Sequence, residues 1–258
     1  MPSGRMITSS EGDGDSQPLW LSDEPAAAGL WARMHAEHRG SGRWPLLLDA
    51  LDPEDAEFRP WGSGEVFPEQ MSAAASHDPA GLLAEWWATY TAVDEDDDML
   101  SADRRLAITA PFEQSWPGRA PSREAVLSAD QLAAEYAEVF LSDHPKSRLG
   151  LVTAASGAEA LTTAGWSGPA NYDTDTAKFS AIVGDWENRF SARVVAVGFS
   201  TLHLSVAAPP TTEEDALLVA AEHFAFCPDN IWQGRCPYTL AAYAERLTGV
   251  HNWDFWWD

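Results

Sequence analysis

Cysteine is scarce in this chain: Cys227 and Cys236 are the only two among 258 residues. Two thiols cannot build the disulfide framework that staples a small secreted scaffold, so stability has to come from a packed core. Long apolar runs are missing as well. No stretch approaches the roughly 18 apolar residues of a membrane-spanning helix, and residues 1–18 mix Ser, Gly and Asp without the apolar centre of a signal peptide. These shortages point to a cytoplasmic protein with reduced thiols. Basic residues are the third shortage, with 16 Lys and Arg against 40 Asp and Glu and a formal net charge of −24. A surface that acidic repels phosphate backbones and anionic lipid, which excludes nucleic acid and membranes as partners and suits a protein with a basic surface. The chain also lacks a phosphate-binding P-loop, a dinucleotide glycine fingerprint, a Gly-x-Ser-x-Gly elbow and a His-Glu-x-x-His motif. The commonest enzyme classes lose support accordingly.

What is present is ordinary globular composition, 45% hydrophobic and 22% charged, so the chain has a core to bury. The Gly/Ser/Asp-rich residues 1–18 read as a disordered tail. Pro25 suits the first turn of a helix over 25–39, with Leu30, Trp31, Met34 and His38 at helical spacing and Gly40 as the stop. Residues 44–48 read as a short buried strand, and 50–77 show no periodicity. Asp78-Pro79 cap a helix through Tyr90, closed by the acidic run Asp94–Asp98. Residues 99–127, with Pro111, Pro117 and Pro121, read as a linker or long excursion. Capping boxes at Ser128/Gln131, Ser156/Glu159 and Thr211/Glu214 each open a helix, the first ending before Pro145 and the third at Pro228. Residues 149–154 form a strand, so that helix, basic turn and strand recur as in 25–48. Phe179, Ile182, Val183, Trp186 and Phe190 mark a long amphipathic helix. A hairpin follows over 192–198 and 201–206, in which Leu202, Leu204 and Val206 face the core and Thr201, His203 and Ser205 face water. The helix marked by Leu240, Tyr243, Ala244 and Leu247 closes at Gly249, and the last strand alternates Trp253, Phe255 and Trp257 inward with Asp254, Trp256 and Asp258 outward.

The expected fold is therefore mixed α/β (α+β). A C-terminal domain over 128–258 would hold the antiparallel β-hairpin, flanking helices and terminal aromatic strand, and an N-terminal helix–strand region over 19–127 would carry the long loops.

Several short motifs then become recognisable together: Gly184-Asp185-Trp186-Glu187-Asn188-Arg189-Phe190, Ala192–Val195, Ala207–Thr211, Ala221–Asn230 with Gln233-Gly234, and Phe255-Trp256-Trp257-Asp258. In these the chain resembles DUF4253, a bacterial domain of unknown function, over roughly 150–258. The part before it is similar to the extension of actinobacterial members. The resemblance implies a domain boundary and positions to watch, and no activity.

Glu222, His223, Cys227, Asp229, Gln233 and Cys236 are the polar cluster to test. Three readings compete. Cys227, Cys236 and His223 could ligate zinc, with His203 or His251 as fourth ligand, although the spacing matches no known finger. Cys227 could be a nucleophile activated by His223 and oriented by Asp229 or Glu222, although a helix C-terminus raises a thiol pKa. The third reading is structural and asks least: His223 and Cys227 belong to an apolar helix face, and Cys-Pro-Asp-Asn is a helix-ending turn. No cofactor and no tightly held metal are expected. Trp86, Trp87, Trp232, Trp256 and Trp257 are candidates for a ligand or partner groove, with core filling as the alternative. His35 and His38 are spaced like metal ligands but lack an obvious carboxylate partner. The function that fits is a non-enzymatic interaction, immunity or regulatory protein; the alternative is a small hydrolase or transferase using Cys227, His223 and Asp229.

Overall fold

The computed structural model describes residues 1–11, 15–93 and 101–258. Two strands read as near-continuous apolar runs, β3 (Arg43–Leu48) and β5 (Ala192–Val197), the composition of strands covered on both faces. They lie side by side, in parallel, near the middle of one seven-stranded sheet of order β1-β2-β4-β3-β5-β6-β7. The other strands are β1 (Gly4–Ile7), β2 (Leu19–Pro25), β4 (Arg148–Thr153), β6 (Thr201–Val206) and β7 (Asn252–Trp256), and every other pairing is antiparallel.

Alternation along β3 shows how the layers arise. Leu47 faces the helices α1 (Leu30–Ser41) and α4 (Ala129–Asp143), where Trp31, Ala133, Ala137 and Phe140 meet Val195 and Ala196. Leu46 and Leu48 belong to the larger core on the other face. That core is covered by α2 (Pro79–Thr91), α5 (Gly157–Ala164), α6 (Thr176–Phe190), α7 (Glu213–Phe226) and α9 (Leu240–Leu247). The short helices α3 (Ala102–Ile108) and α8 (Asp229–Trp232) complete the chain. The result is a three-layer sandwich with the sheet in the middle.

The mixed α/β class, the hairpin β5–β6 and the aromatic strand β7 are as the sequence implies. Side-chain oxygens of Asp78, Ser128 and Ser156 accept from first-turn amides of α2, α4 and α5. The box expected at Thr211/Glu214 is displaced by one residue, since Thr212 caps α7 through the amide of Asp215. Pro25 ends β2 instead of opening α1, which starts after Gly29 and runs to Gly42, both in the left-handed conformation that glycine tolerates.

Four expectations need larger corrections. The tail over 1–18 contains β1, paired with β2 from Gly4↔Ser22 to Ile7↔Leu19; Ile7 and Ser9 are buried, and Ser9 Oγ donates to the Val66 carbonyl at 2.6 Å. Residues 12–14 of that stretch, and the acidic run Asp94–Asp98, lie outside the described residues. The excursion over 99–127 is no free linker: it holds α3, and its later part is strapped across α6 by Arg123 N to Arg189 O at 2.9 Å. The sheet also runs through the boundary expected at 127/128, because β4 lies between β2 and β3. The wet face expected on β6 is partly roofed by α4, so Ser205 is buried and Phe140 lies 4.9 Å from the His203 ring.

Candidate functional site

Pro228 ends α7, and the single turn α8 then folds the chain back toward β7. This places the Cys-Pro-Asp-Asn segment along the outer edge of the last strand. The Cys227 thiol donates to the Trp256 carbonyl at 2.9 Å. Asn230 Oδ1 accepts from Trp256 N at 3.2 Å, and its Nδ2 donates to the Asp254 carbonyl at 2.7 Å. Asp229 Oδ2 accepts from Asp258 N at 3.0 Å, while Oδ1 accepts from Tyr172 Oη at 2.8 Å and from Gln233 Nε2 at 3.0 Å. These side chains occupy the hydrogen-bonding groups that an edge strand would otherwise offer to another chain.

The same arrangement argues against a nucleophilic Cys227. The side chain is fully buried, and burial pushes the thiol well above the ordinary thiol range, so no reactive thiolate forms. His223 does not bond it: its Nδ1 lies 3.0 Å from Tyr243 Oη, and Nε2 has no partner among the described residues. Burial, reinforced by the Arg189 charge, lowers the His223 pKa to about 3. The imidazole is packed edge-on against Trp253 at 4.5 Å and Phe255 at 4.8 Å. Glu222 is engaged elsewhere, accepting from Arg189 Nη2 at 2.5 Å, Trp186 Nε1 at 2.7 Å and Ala120 N at 2.7 Å. It is a buried ion pair that anchors the strap. Cys236 is exposed while Cys227 is buried, and His251 bonds the Val206 carbonyl at 2.8 Å. No group of three or more metal-ligating side chains forms among the described residues.

The tryptophan candidates divide. Trp87 and Trp257 are buried in the core, and Trp87 Nε1 donates to the Gln114 carbonyl at 3.1 Å. Trp86 is half-buried against Phe179, and Trp232 is half-buried against Phe224 under the Arg105 guanidinium. Trp256 alone of the five is exposed, at 40%.

A different set of groups surrounds an open cleft of about 820 Å³ at the amino ends of β3 and β5. His35, His38 and Arg39 come from α1, Trp44 from β3, Asp130 from α4, Ser156 from the cap of α5, Glu187 from α6 and Arg193 from β5. Gly157 lets α5 approach β3 and β5 closely: a Cβ would stand 2.8 Å from Val194 Cβ and 3.0 Å from the Trp44 ring. The His35 ring stacks on Trp31 at 4.8 Å and meets the edge of Trp44 at 4.9 Å. Its pKa is lowered, first by burial and then by the Arg193 charge, against an opposing pull from Asp130. Neither of its nitrogens bonds a protein group among the described residues. His38 differs, since its Nε2 donates to the Ala154 carbonyl at 2.9 Å. Burial raises the Glu187 pKa although Ala158 N donates to its carboxylate at 3.0 Å. Arg193 Nε is 3.2 Å from Asp130 Oδ1. A half-buried imidazole with no protein partner among the described residues and a carboxyl of raised pKa in one cleft are groups that can hydrogen-bond a ligand.

Comparison with known families adds one finding. Residues 148–258 match the model of DUF4253, a domain of unknown function. No curated protein and no solved structure matches the chain. The DUF4253 segment begins in β4 and carries the whole lock on β7, together with Ser156, Glu187 and Arg193 of the cleft. The preceding region supplies His35, His38, Trp44 and Asp130, so the cleft is assembled from both parts. His35 and His38, spaced i, i+3 in the sequence, both line it, and the carboxylate whose charge acts on His35 is Asp130.

Proposed function

We propose that the protein binds a small polar molecule in the cleft between α1 and α6, and that this binding is its function. The observation carrying the reading is His35, a half-buried imidazole with no protein hydrogen-bond partner, sharing the cleft with the carboxyl of Glu187. An imidazole fixed between two indoles and left unbonded keeps donor and acceptor capacity for a ligand. Arg39 and Arg193 add positive charge, and Trp44 offers an aromatic wall. The ligand that fits carries an acidic group for the arginines and a donor for Glu187, as amino acids and related zwitterions do.

Thermal-shift measurements with a panel of amino acids, small carboxylates and phosphate esters test it. A stabilising ligand whose effect is lost in His35→Gln and Glu187→Gln supports the reading. A panel that stabilises neither wild type nor variants, or a shift that survives both substitutions, contradicts it.

Docking of a basic protein is the second reading. It is favoured by the net charge of −24 and by Trp256, whose indole stands outward on β7 between Asp254 and Asp258. A chemistry centred on Cys227 has the least support, because that thiol is buried and donates to the Trp256 carbonyl.

A further inference from the structure

Two histidine–carboxylate pairs meet on the α4 side of the sheet, away from the cleft. His144 follows the last turn of α4, and its Nδ1 stands 2.5 Å from Oδ2 of Asp49, the residue after β3. Asp49 Oδ1 accepts from Ser147 Oγ. His203 projects from β6, with Nδ1 2.9 Å from Asp254 Oδ1 on β7. Asp254 also accepts from Tyr136 Oη at 2.5 Å and from Asn252 Nδ2 at 2.9 Å. The two imidazoles share a neighbour: Phe140 stacks on His144 at 4.2 Å and tilts against His203 at 4.9 Å, and the two imidazole centroids are 6.2 Å apart. Asp49 sits at the carboxyl end of a parallel strand, where open α/β sheets place their ligands.

In each pair the carboxylate accepts the Nδ1 proton, which leaves the Nε2 lone pair available. Neither Nε2 has a protein partner among the described residues. A carboxylate on the far nitrogen is the arrangement that fixes tautomer and orientation in metal-bound histidines. The spacing agrees. With an Nε2–metal distance of about 2.1 Å each ring centroid lies about 3.2 Å from the ion, so two rings sharing it stand about 5.2 Å apart at a tetrahedral angle and about 6.4 Å at a linear one, and the 6.2 Å here closes onto a tetrahedral ion by about 1 Å of movement of the half-exposed His144 side chain.

We propose that His144 and His203 bind a divalent transition-metal ion such as Zn²⁺ through their Nε2 atoms, with Asp49 and Asp254 as orienting partners. No group of three or more His, Cys, Asp or Glu ligands forms among the described residues. Water therefore fills the remaining coordination positions, and the ion exchanges freely instead of supporting the fold. Imidazole ligands without a thiolate suit Zn²⁺, Ni²⁺ or Cu²⁺ over Ca²⁺ or Mg²⁺.

The test is calorimetric titration of Zn²⁺ into the full-length Cys236→Ser chain, which removes the exposed thiol, with excess Mg²⁺ present to occupy carboxylates at large. One saturable site is expected. His144→Gln and His203→Gln should each weaken it about tenfold or more, and Asp49→Asn should weaken it about 10–100-fold. His35→Gln should leave it unchanged. Circular dichroism confirms that each variant is folded, which is expected because the His144 side chain is 41% exposed. Absence of a saturable site under Mg²⁺, or a site that survives either histidine substitution, overturns the proposal.

Discussion

Replacing Trp257 with alanine should be among the most damaging single changes at the C-terminus. The side chain is 1% exposed, and its ring lies 5.4 Å from Phe226, 5.6 Å from Trp166 and 5.8 Å from Phe179. It therefore ties the last residues of the chain to α6 and α7 at once. Truncating a buried Trp removes the transfer free energy of the ring and leaves a cavity that packed neighbours fill poorly, a loss of about 3–5 kcal/mol. For a chain of this length each kcal/mol shifts the melting temperature by about 2–4 °C, so the expected drop is about 6–20 °C. Trp257→Phe should recover most of it, because the indole Nε1 has no partner among the described residues and its removal strands nothing. Trp256→Ala is the internal control: that side chain points outward, and its loss should cost about 1 kcal/mol or less. Thermal and urea unfolding followed by circular dichroism measures all three. A Trp257→Ala protein melting within 2 °C of wild type, or a Trp256→Ala protein destabilised as much, would refute the assignment of the C-terminal aromatic segment, β7 with Trp257 after it, to the core.

Glu222→Gln should cost about 1.5–3 kcal/mol, since it removes the buried carboxylate that accepts from Arg189, Trp186 and Ala120 while Asp185 still pairs with Arg189; urea midpoints of variant and wild type give the number, and a difference under 1 kcal/mol would remove the anchoring role of the pair. His223 stays neutral in the folded protein down to about pH 3, whereas the unfolded chain takes that proton below about pH 6.5. The unfolded state thus binds more protons in this window, so stability is full above pH 6.5 and falls as pH drops. At pH 5 the loss from this residue is about 2 kcal/mol; His223→Met should flatten the pH dependence by that amount, and an unchanged slope would count against it. Iodoacetamide on the native protein should label Cys236 and spare Cys227, which mass spectrometry of the digest resolves; comparable labelling of the two would mean that Cys227 is accessible after all.

Features written locally were legible in the sequence. Asp78, Ser128 and Ser156 cap helices through their own first turns, and β7 announces itself because a period-two pattern of large aromatics admits only one buried face. Position relative to distant chain was not legible. Gly4–Ile7 is too short to show alternation and becomes a strand because β2 offers it a register. The stretch around Ala120 looks like a linker because its contribution is made by backbone: Ala120 N and O serve Glu222 and Arg189. At the Cys-Pro-Asp-Asn turn the sequence shows the residue types, but what they bond is the outer edge of a strand some 25 residues further on. The cleft was half visible. His35 and His38 stand out by spacing, while Glu187 appears only within a family motif, since nothing local shows that its carboxyl bonds the first turn of α5.

The central claim, that a ligand enters beside His35, is tested most directly by NMR of the protein with its histidine rings isotopically labelled, titrated with the amino acids, carboxylates and phosphate esters of the thermal-shift panel. The account predicts saturable shifts of the His35 and His38 ring signals, loss of those shifts in Glu187→Gln, and an unmoved His223 signal. Shifts that appear at His223 while His35 stays still would contradict it and return the search to the Cys227 region.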